Sequence, residues 1–313
     1  MVVLASAVAV SAAGTTTVPS PPDPGTVVTF AFTGDILPHS PLWRGAQRHA
    51  AAAGRSGYDF TPMLAGLAPV LGSVDLAVCH VETPIAPEGE ALSTMPYYGV
   101  PAEIADAIAT VGYDRCSTAS NHAFDRGLAG IERTAAELAR VGVAQDGLGR
   151  TPDDMTPAPF VVNGVAISHL SYTYGYNGIV PPAGEEWRSR LLDPERVLAD
   201  AAEARRLGAE LVVVSLHWGA EGRHAPTDEQ RRVADVLTAS GQIDLIVGHH
   251  AHVVQPIEQV NGVWVVFGLG NSLSNMPTGV FPPASQDGIA VTLAVHRDGD
   301  GVFRWLRPTA VPT

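Results

Sequence analysis

Short apolar runs that each stop at a carboxylate, amide or imidazole are the feature that most narrows what this chain can fold into. Residues 26–35 carry Val27, Val28, Phe30 and Phe32 and end at Gly34-Asp35; residues 74–82 end at Glu82; residues 113–119 lead into Asn121-His122. Residues 211–216 run into His217, and residues 245–247 into the group from His249 to His252. Runs of this length, apolar on both faces, read as strands buried in a parallel sheet. Between them the apolar spacing predicts helices over 62–71, 101–111 (Pro101 at the start, Gly112 at the end), 128–141, 194–207 (Asp193 as N-cap) and 228–239. Later segments predict hairpins: 160–171 turning at Asn163-Gly164, 254–260 with 263–268 through Asn261-Gly262, and 289–296 with 302–306. Alternation early and strands late imply an α/β fold with added hairpins. In such sheets ligands bind at the carboxyl ends of the strands, so the polar residues at these ends are expected to converge. A packing role does not supply that set, whereas carboxylate, imidazole and amide oxygen together suit Mn²⁺, Fe or Zn²⁺.

The chain has 313 residues, 46% of them hydrophobic, enough for a sizeable core. No linker or internal repeat interrupts residues 26–310, so 26–313 read as one domain preceded by an N-terminal segment, 1–25. A net charge of −13 argues against nucleic-acid binding, which needs clustered Lys and Arg; a local pocket for an anionic substrate stays open. Neither a phosphate-binding loop, a dinucleotide glycine motif nor a Gly-x-Ser-x-Gly elbow is present. Two cysteines, Cys79 and Cys116, rule out a disulfide scaffold and a thiolate zinc site. Each lies in an apolar run and reads as a buried free thiol, with a bridge between neighbouring strands open if the protein is exported. From Met1 to Gly14 the chain is small and apolar, and a Pro/Thr/Ser-rich stretch follows. That reads as a weak or truncated export signal and linker, giving an exported or cell-envelope location; a cytosolic tail is the alternative.

Asn121-His122-Ala123-Phe124-Asp125-Arg126-Gly127 resembles a segment of 5′-nucleotidase-like metallophosphoesterases, and more closely one of the CapA (poly-γ-glutamate capsule) family. His217-Trp218-Gly219-Ala220-Glu221 with Pro226 and Gln230, and Gly248-His249-His250-Ala251-His252, are similar to two further blocks of that family. Gly34-Asp35, Glu82-Thr83-Pro84 and Leu269-Gly270-Asn271 follow its order, so the resemblance covers about residues 28–275.

It implies a four-layer α-β-β-α metallophosphoesterase-like sandwich holding divalent metal ions, two in number, as Mn, Fe or Zn. Position by position, Asp35 would bind one metal, and Glu82 would take the place of the bridging Asp. Asn121, His217 and His250 would complete the second metal, and His252 would ligate the first. His122 would steady the transition state or protonate the leaving group, with Asn121 and Asp125 in the same catalytic group. Residues two apart on an extended segment face one side, which favours His250 with His252 over His249, whose role stays open. The plain alternative for Asn121 is a helix N-cap, a role that can coexist with ligation. Many metallophosphoesterases carry Asp-x-His at the first strand; here Leu37 stands in its place. His39 from the following loop, or His80 on the strand of Glu82 where the family usually has Asn, would compensate. Glu221, Arg223 and Asn271 are candidates for substrate contact, with a solvated loop the plain alternative for Glu221 and Arg223. The resemblance implies a metal-dependent hydrolase acting on a phosphoester, or on an amide of a glutamate-rich polymer or small anionic substrate. The alternatives are an accessory subunit working with capsule-synthesis membrane proteins, and a metal-stabilised binding module.

Overall fold

The computed structural model describes residues 25–277 and 279–313. The apolar N-terminus and linker, with the export reading that rests on them, lie outside the described residues. Among those residues no helix is long and apolar enough to cross a membrane.

One sheet has eight strands. Its parallel centre is β1 (Thr26–Leu37), β2 (Leu76–Val81), β3 (Arg115–Ser117) and β4 (Ala144–Asp146). β11 (Asn271–Ser274) pairs with the end of β1, and β12 (Ile289–Arg297), β13 (Phe303–Trp305) and β14 (Thr309–Pro312) extend the other edge. The second sheet has six strands in the order β5 (Phe160–Val162), β6 (Val165–Thr173), β7 (Leu211–His217), β8 (Leu245–His249), β10 (Val263–Val266) and β9 (Ile257–Val260). The helices are α1 (Ser40–Ala52), α2 (Thr61–Leu64), α3 (Ala68–Leu71), α4 (Glu103–Val111), α5 (Gly127–Arg140), α6 (Pro194–Arg206) and α7 (Asp228–Ala239).

Strand alternation builds the layers. Phe30, Phe32, Leu76 and Val78 meet Leu211, Val213, Leu245 and Val247 between the sheets. The opposite faces carry Ala31, Ala77 and Cys79 against Leu64, Ile104 and Ile108, and Val212, Val214 and Ile246 against Val197, Val233 and Leu237. The order is therefore helix, sheet, sheet, helix, as the four-layer expectation has it. The same alternation sets up the site: the inward series Leu76, Val78 continues to His80 and Glu82, Leu211 and Val213 continue to Ser215 and His217, and Leu245 and Val247 to His249. β1 needs a correction to join them. Its register against β2 shifts between Phe32 and Asp35, a bulge that gives the inward face to Asp35 instead of residue 34. A side chain at Gly34 would place Cβ 2.2 Å from the Gly270 carbonyl oxygen, so the close approach of β1 to residue 270 requires glycine.

Three expectations are corrected. The helix over 62–71 is broken into α2, a 3₁₀ turn at Ala65–Leu67 and α3, because Pro69 has no N–H to continue the ladder. Cys79 and Cys116 lie opposite each other on β2 and β3 and form a disulfide, with Cα atoms 4.4 Å apart, where two free thiols were expected. Asn121 caps no helix: α5 starts at Gly127, after Arg126.

Candidate metal centre

Glu82 is the hub of the polar cluster at the strand ends. It follows β2, is 1% exposed, and neither carboxylate oxygen has a hydrogen-bond partner among the described residues. Its Oε1 lies 3.6 Å from His252 Nε2 and 4.0 Å from both His217 Nε2 and His122 Nε2. Ser120 Oγ holds the Glu82 backbone from behind by donating to its carbonyl at 2.5 Å. An unpaired carboxylate removed from water costs several kcal/mol, so this arrangement of donors calls for a cation among them.

Asp35 stands on one side. Its Oδ1 is 3.0 Å from His249 Nδ1, and its Oδ2 accepts the His250 N–H at 3.0 Å and lies 3.2 Å from His252 Nδ1. On the other side His217 Nε2 is 2.9 Å from Asn121 Oδ1, while Asn121 Nδ2 donates to Asn177 Oδ1 at 3.2 Å. His250 Nδ1 is buried without a partner among the described residues, and its ring sits 4.7 Å from that of His217. Ligand atoms lie within 4.8 Å of one another in Asp35–Glu82–His252, Glu82–His217–His250, Asp35–His80–His249 and Glu221–His250–His252. Oxygen and imidazole donors of this kind fit a divalent transition ion, and Glu82 belongs to two of the groups. His250 and His252 do not converge by strand alternation: both adopt positive φ, 84° and 55°, so a loop turn brings their rings together. Backbone strain of this sort collects at functional sites.

The charge state of the metal-free cluster follows from its geometry. Burial opposes the charge on His252, yet the Glu82 and Asp35 carboxylates beside it raise its pKa to about 10. Burial pushes Glu82 well above the usual carboxylate range, despite the opposing pull of His252. Asp35 is also penalised by burial, but hydrogen bonds from His249 and His252 hold it well below its ordinary value. Burial, with like charge from His252, lowers His250 to about 3. The cluster therefore keeps at least one proton at neutral pH on groups that must give it up to ligate. Metal binding is expected to release protons, and apparent affinity to rise with pH below about 10, by up to tenfold per unit for each proton. Calorimetric titration in buffers of different ionisation enthalpy measures this; affinity unchanged between about pH 6 and 9 contradicts it.

The cluster opens to a cleft of about 220 Å³. Glu82, Asn121, His122, His252 and Glu221 line it, with Met95, Tyr97 and Phe281 on its apolar side, and no Lys or Arg lines it among the described residues. His122 is fixed from behind, its Nδ1 2.7 Å from Asp125 Oδ2, which also accepts the Tyr98 N–H at 2.7 Å. His39 lies outside the four groups and bonds Tyr98 OH at 3.0 Å and the Asn275 N–H at 3.2 Å. Asn271 stands behind His252, its Oδ1 3.0 Å from His252 Nδ1, and not on the cleft wall. Arg223 is exposed and also off that wall. Tyr98 and Asn177 were missed from sequence, because each reaches the site from an irregular loop with no periodic signal.

Known proteins resemble this chain in sequence and in architecture. The PGA biosynthesis protein CapA of Bacillus subtilis (strain 168) is 34% identical over 190 residues, 60% of this chain and 48% of that protein. The capsule biosynthesis protein CapA of Bacillus anthracis is 28% identical over 173 residues, 54% of this chain and 42% of that protein. This chain thus spans about half the length of the curated relatives it matches. Among solved structures, the calcineurin-like phosphoesterase YfkN from Bacillus subtilis superposes with a TM-score of 0.52 at 13% identity, covering 92% of this chain and 91% of that one, which shows the fold. With the family model matching residues 29–276, the chain belongs to the bacterial capsule synthesis protein PGA_cap family.

Proposed function

We propose that this protein is a metal-dependent hydrolase of poly-γ-glutamate capsule synthesis, working at the cell envelope and cutting a bond in the glutamate-rich polymer or a small anionic precursor. The observation that carries the reading is the buried, unpartnered carboxylate of Glu82, facing three imidazoles at the wall of an open cleft. Asp35, Glu82 and His252 would hold one divalent ion, and Glu82, Asn121, His217 and His250 a second, with Glu82 between them. When bound, such ions supply Lewis acidity to the bond under attack and make water a better nucleophile. An anionic substrate also needs them, since among the described residues no Lys or Arg lines the cleft.

The chain's own residues supply the rest. Asp125 accepts the Nδ1 proton of His122, so the proton that moves is the one on Nε2, which lies 4.0 Å from Glu82 Oε1. From there His122 donates to the leaving group as its bond breaks. Glu221, an exposed residue of the cleft lining, would bind a substrate ammonium or amide N–H. A second reading, an accessory subunit of a synthesis complex, draws on the relatives named as biosynthesis proteins, of which this chain spans about half. The metal-loaded protein, assayed on poly-γ-glutamate, γ-glutamyl oligomers and phosphodiesters, separates the two. Release of new chain ends from the γ-glutamyl substrates supports the hydrolase. Full metal loading without turnover of any of the three overturns it and leaves the accessory role.

A further inference from the structure

His80 sits directly behind His217, and its contacts give it a task different from ligating an ion. Its Nε2 is 2.9 Å from His217 Nδ1 and its Nδ1 is 2.8 Å from Ser117 Oγ, which in turn donates to the Cys79 carbonyl at 3.3 Å. The ring is fully buried and stacks on His249 with centroids 4.1 Å apart. We propose that Ser117 and His80 are positioning residues that fix His217 as its Nδ1–H tautomer, leaving the Nε2 lone pair facing Asn121 and Glu82. The inference rests on the two-ion reading above.

The argument is one of donors and acceptors. A neutral imidazole has one N–H and one lone pair. For His217 to present a lone pair at Nε2, its proton must be on Nδ1. Among the described residues that N–H has one partner, His80 Nε2, which must then accept. The proton of His80 is consequently on Nδ1 and donates to Ser117 Oγ, and the Ser117 hydroxyl donates to the Cys79 carbonyl, a group that can only accept. Every member of the chain is satisfied, and its polarity is set by its last atom. With no ion bound the opposite polarity, His217 Nε2–H donating to Asn121 Oδ1 at 2.9 Å, turns the Ser117 hydroxyl toward His80 Nδ1 and forfeits its bond to the Cys79 carbonyl; ligation of Nε2 selects the first. In that arrangement His80 has no lone pair left for an ion, although its ring lies within reach of Asp35 and His249. Partners of this kind orient a ligating histidine, and their loss typically lowers metal affinity about 10–100-fold.

The test uses the whole chain and Zn²⁺ alone. In His80→Leu, which keeps bulk but removes the acceptor, affinity for one of two zinc ions should fall about 10–100-fold while the other is retained. His80→Gln, whose amide can accept from His217 and donate to Ser117, should recover most of the loss. Two-bond ¹H–¹⁵N correlation spectra of the zinc-loaded wild type should show His217 and His80 as Nδ1–H tautomers. Wild type binding two zinc ions and His80→Leu binding both with unchanged affinity overturns the inference alone, as does an Nε2–H His217 in the loaded protein. Wild type binding no zinc removes the reading beneath it. A melting curve for each variant identifies loss of fold, and His80→Gln keeps the test decisive if His80→Leu does not fold.

Discussion

Glu82→Gln is expected to abolish retention of both ions while leaving the metal-free fold intact. The substitution is nearly isosteric, and burial already favours the neutral form of Glu82 in the metal-free protein, so an uncharged amide is tolerated there. Once ions are present the two residues differ. The carboxylate is shared by Asp35–Glu82–His252 and Glu82–His217–His250, and an amide brings no charge to either. Wild type with free metal at 100 times Kd should gain about 2.7 kcal/mol of stability, a rise in Tm on the order of 5 °C for a chain of this size. Glu82→Gln should lose nearly all of that rise and its hydrolytic activity. Thermal unfolding with and without metal measures it; a variant whose Tm rises with metal as wild type does would show that Glu82 is not the hub.

His122→Ala should separate chemistry from metal retention. His122 belongs to none of the ligand groups found among the described residues, and it lines the cleft while Asp125 holds its Nδ1 at 2.7 Å. Removing a positioned general acid lowers kcat by roughly 10²–10⁴, or about 3–5 kcal/mol of barrier. Metal content and the metal-dependent rise in Tm should stay at wild-type levels. Asp125→Asn should fall in between, because Asn can no longer stabilise a protonated imidazole although it can still orient one. Loss of metal from His122→Ala, or activity within a few-fold of wild type, would assign His122 to a different role.

The strand ends were legible because period-two alternation is short-range physics: an apolar inward face at Leu76 and Val78 predicts what His80 and Glu82 will face. The resemblance to a known family carried the same residues to two ions. What was not legible depends on non-local pairing. The bulge that turns Asp35 inward exists because Gly34 lies against Gly270, more than two hundred residues away in sequence. Strand order sets the partner of His80, since β2 pairs β3 at Ser117 while His217 arrives from the other sheet. The Cys79–Cys116 bridge likewise follows from register, which no apolar run reveals. His250 and His252 were grouped for the wrong physical reason, since their positive φ values belong to a turn and not to a strand. Short elements such as β4 and β11 carry too few residues for any periodic signal.

Counting the metal is the most direct test of the account. Purified wild-type protein, loaded separately with Mn²⁺, Fe²⁺ and Zn²⁺ and freed of excess by gel filtration, is expected to retain about two ions per chain with at least one of them. Anomalous scattering from its crystals should place both peaks beside Glu82. A protein that retains none of the three metals, or retains them away from Glu82, contradicts the account.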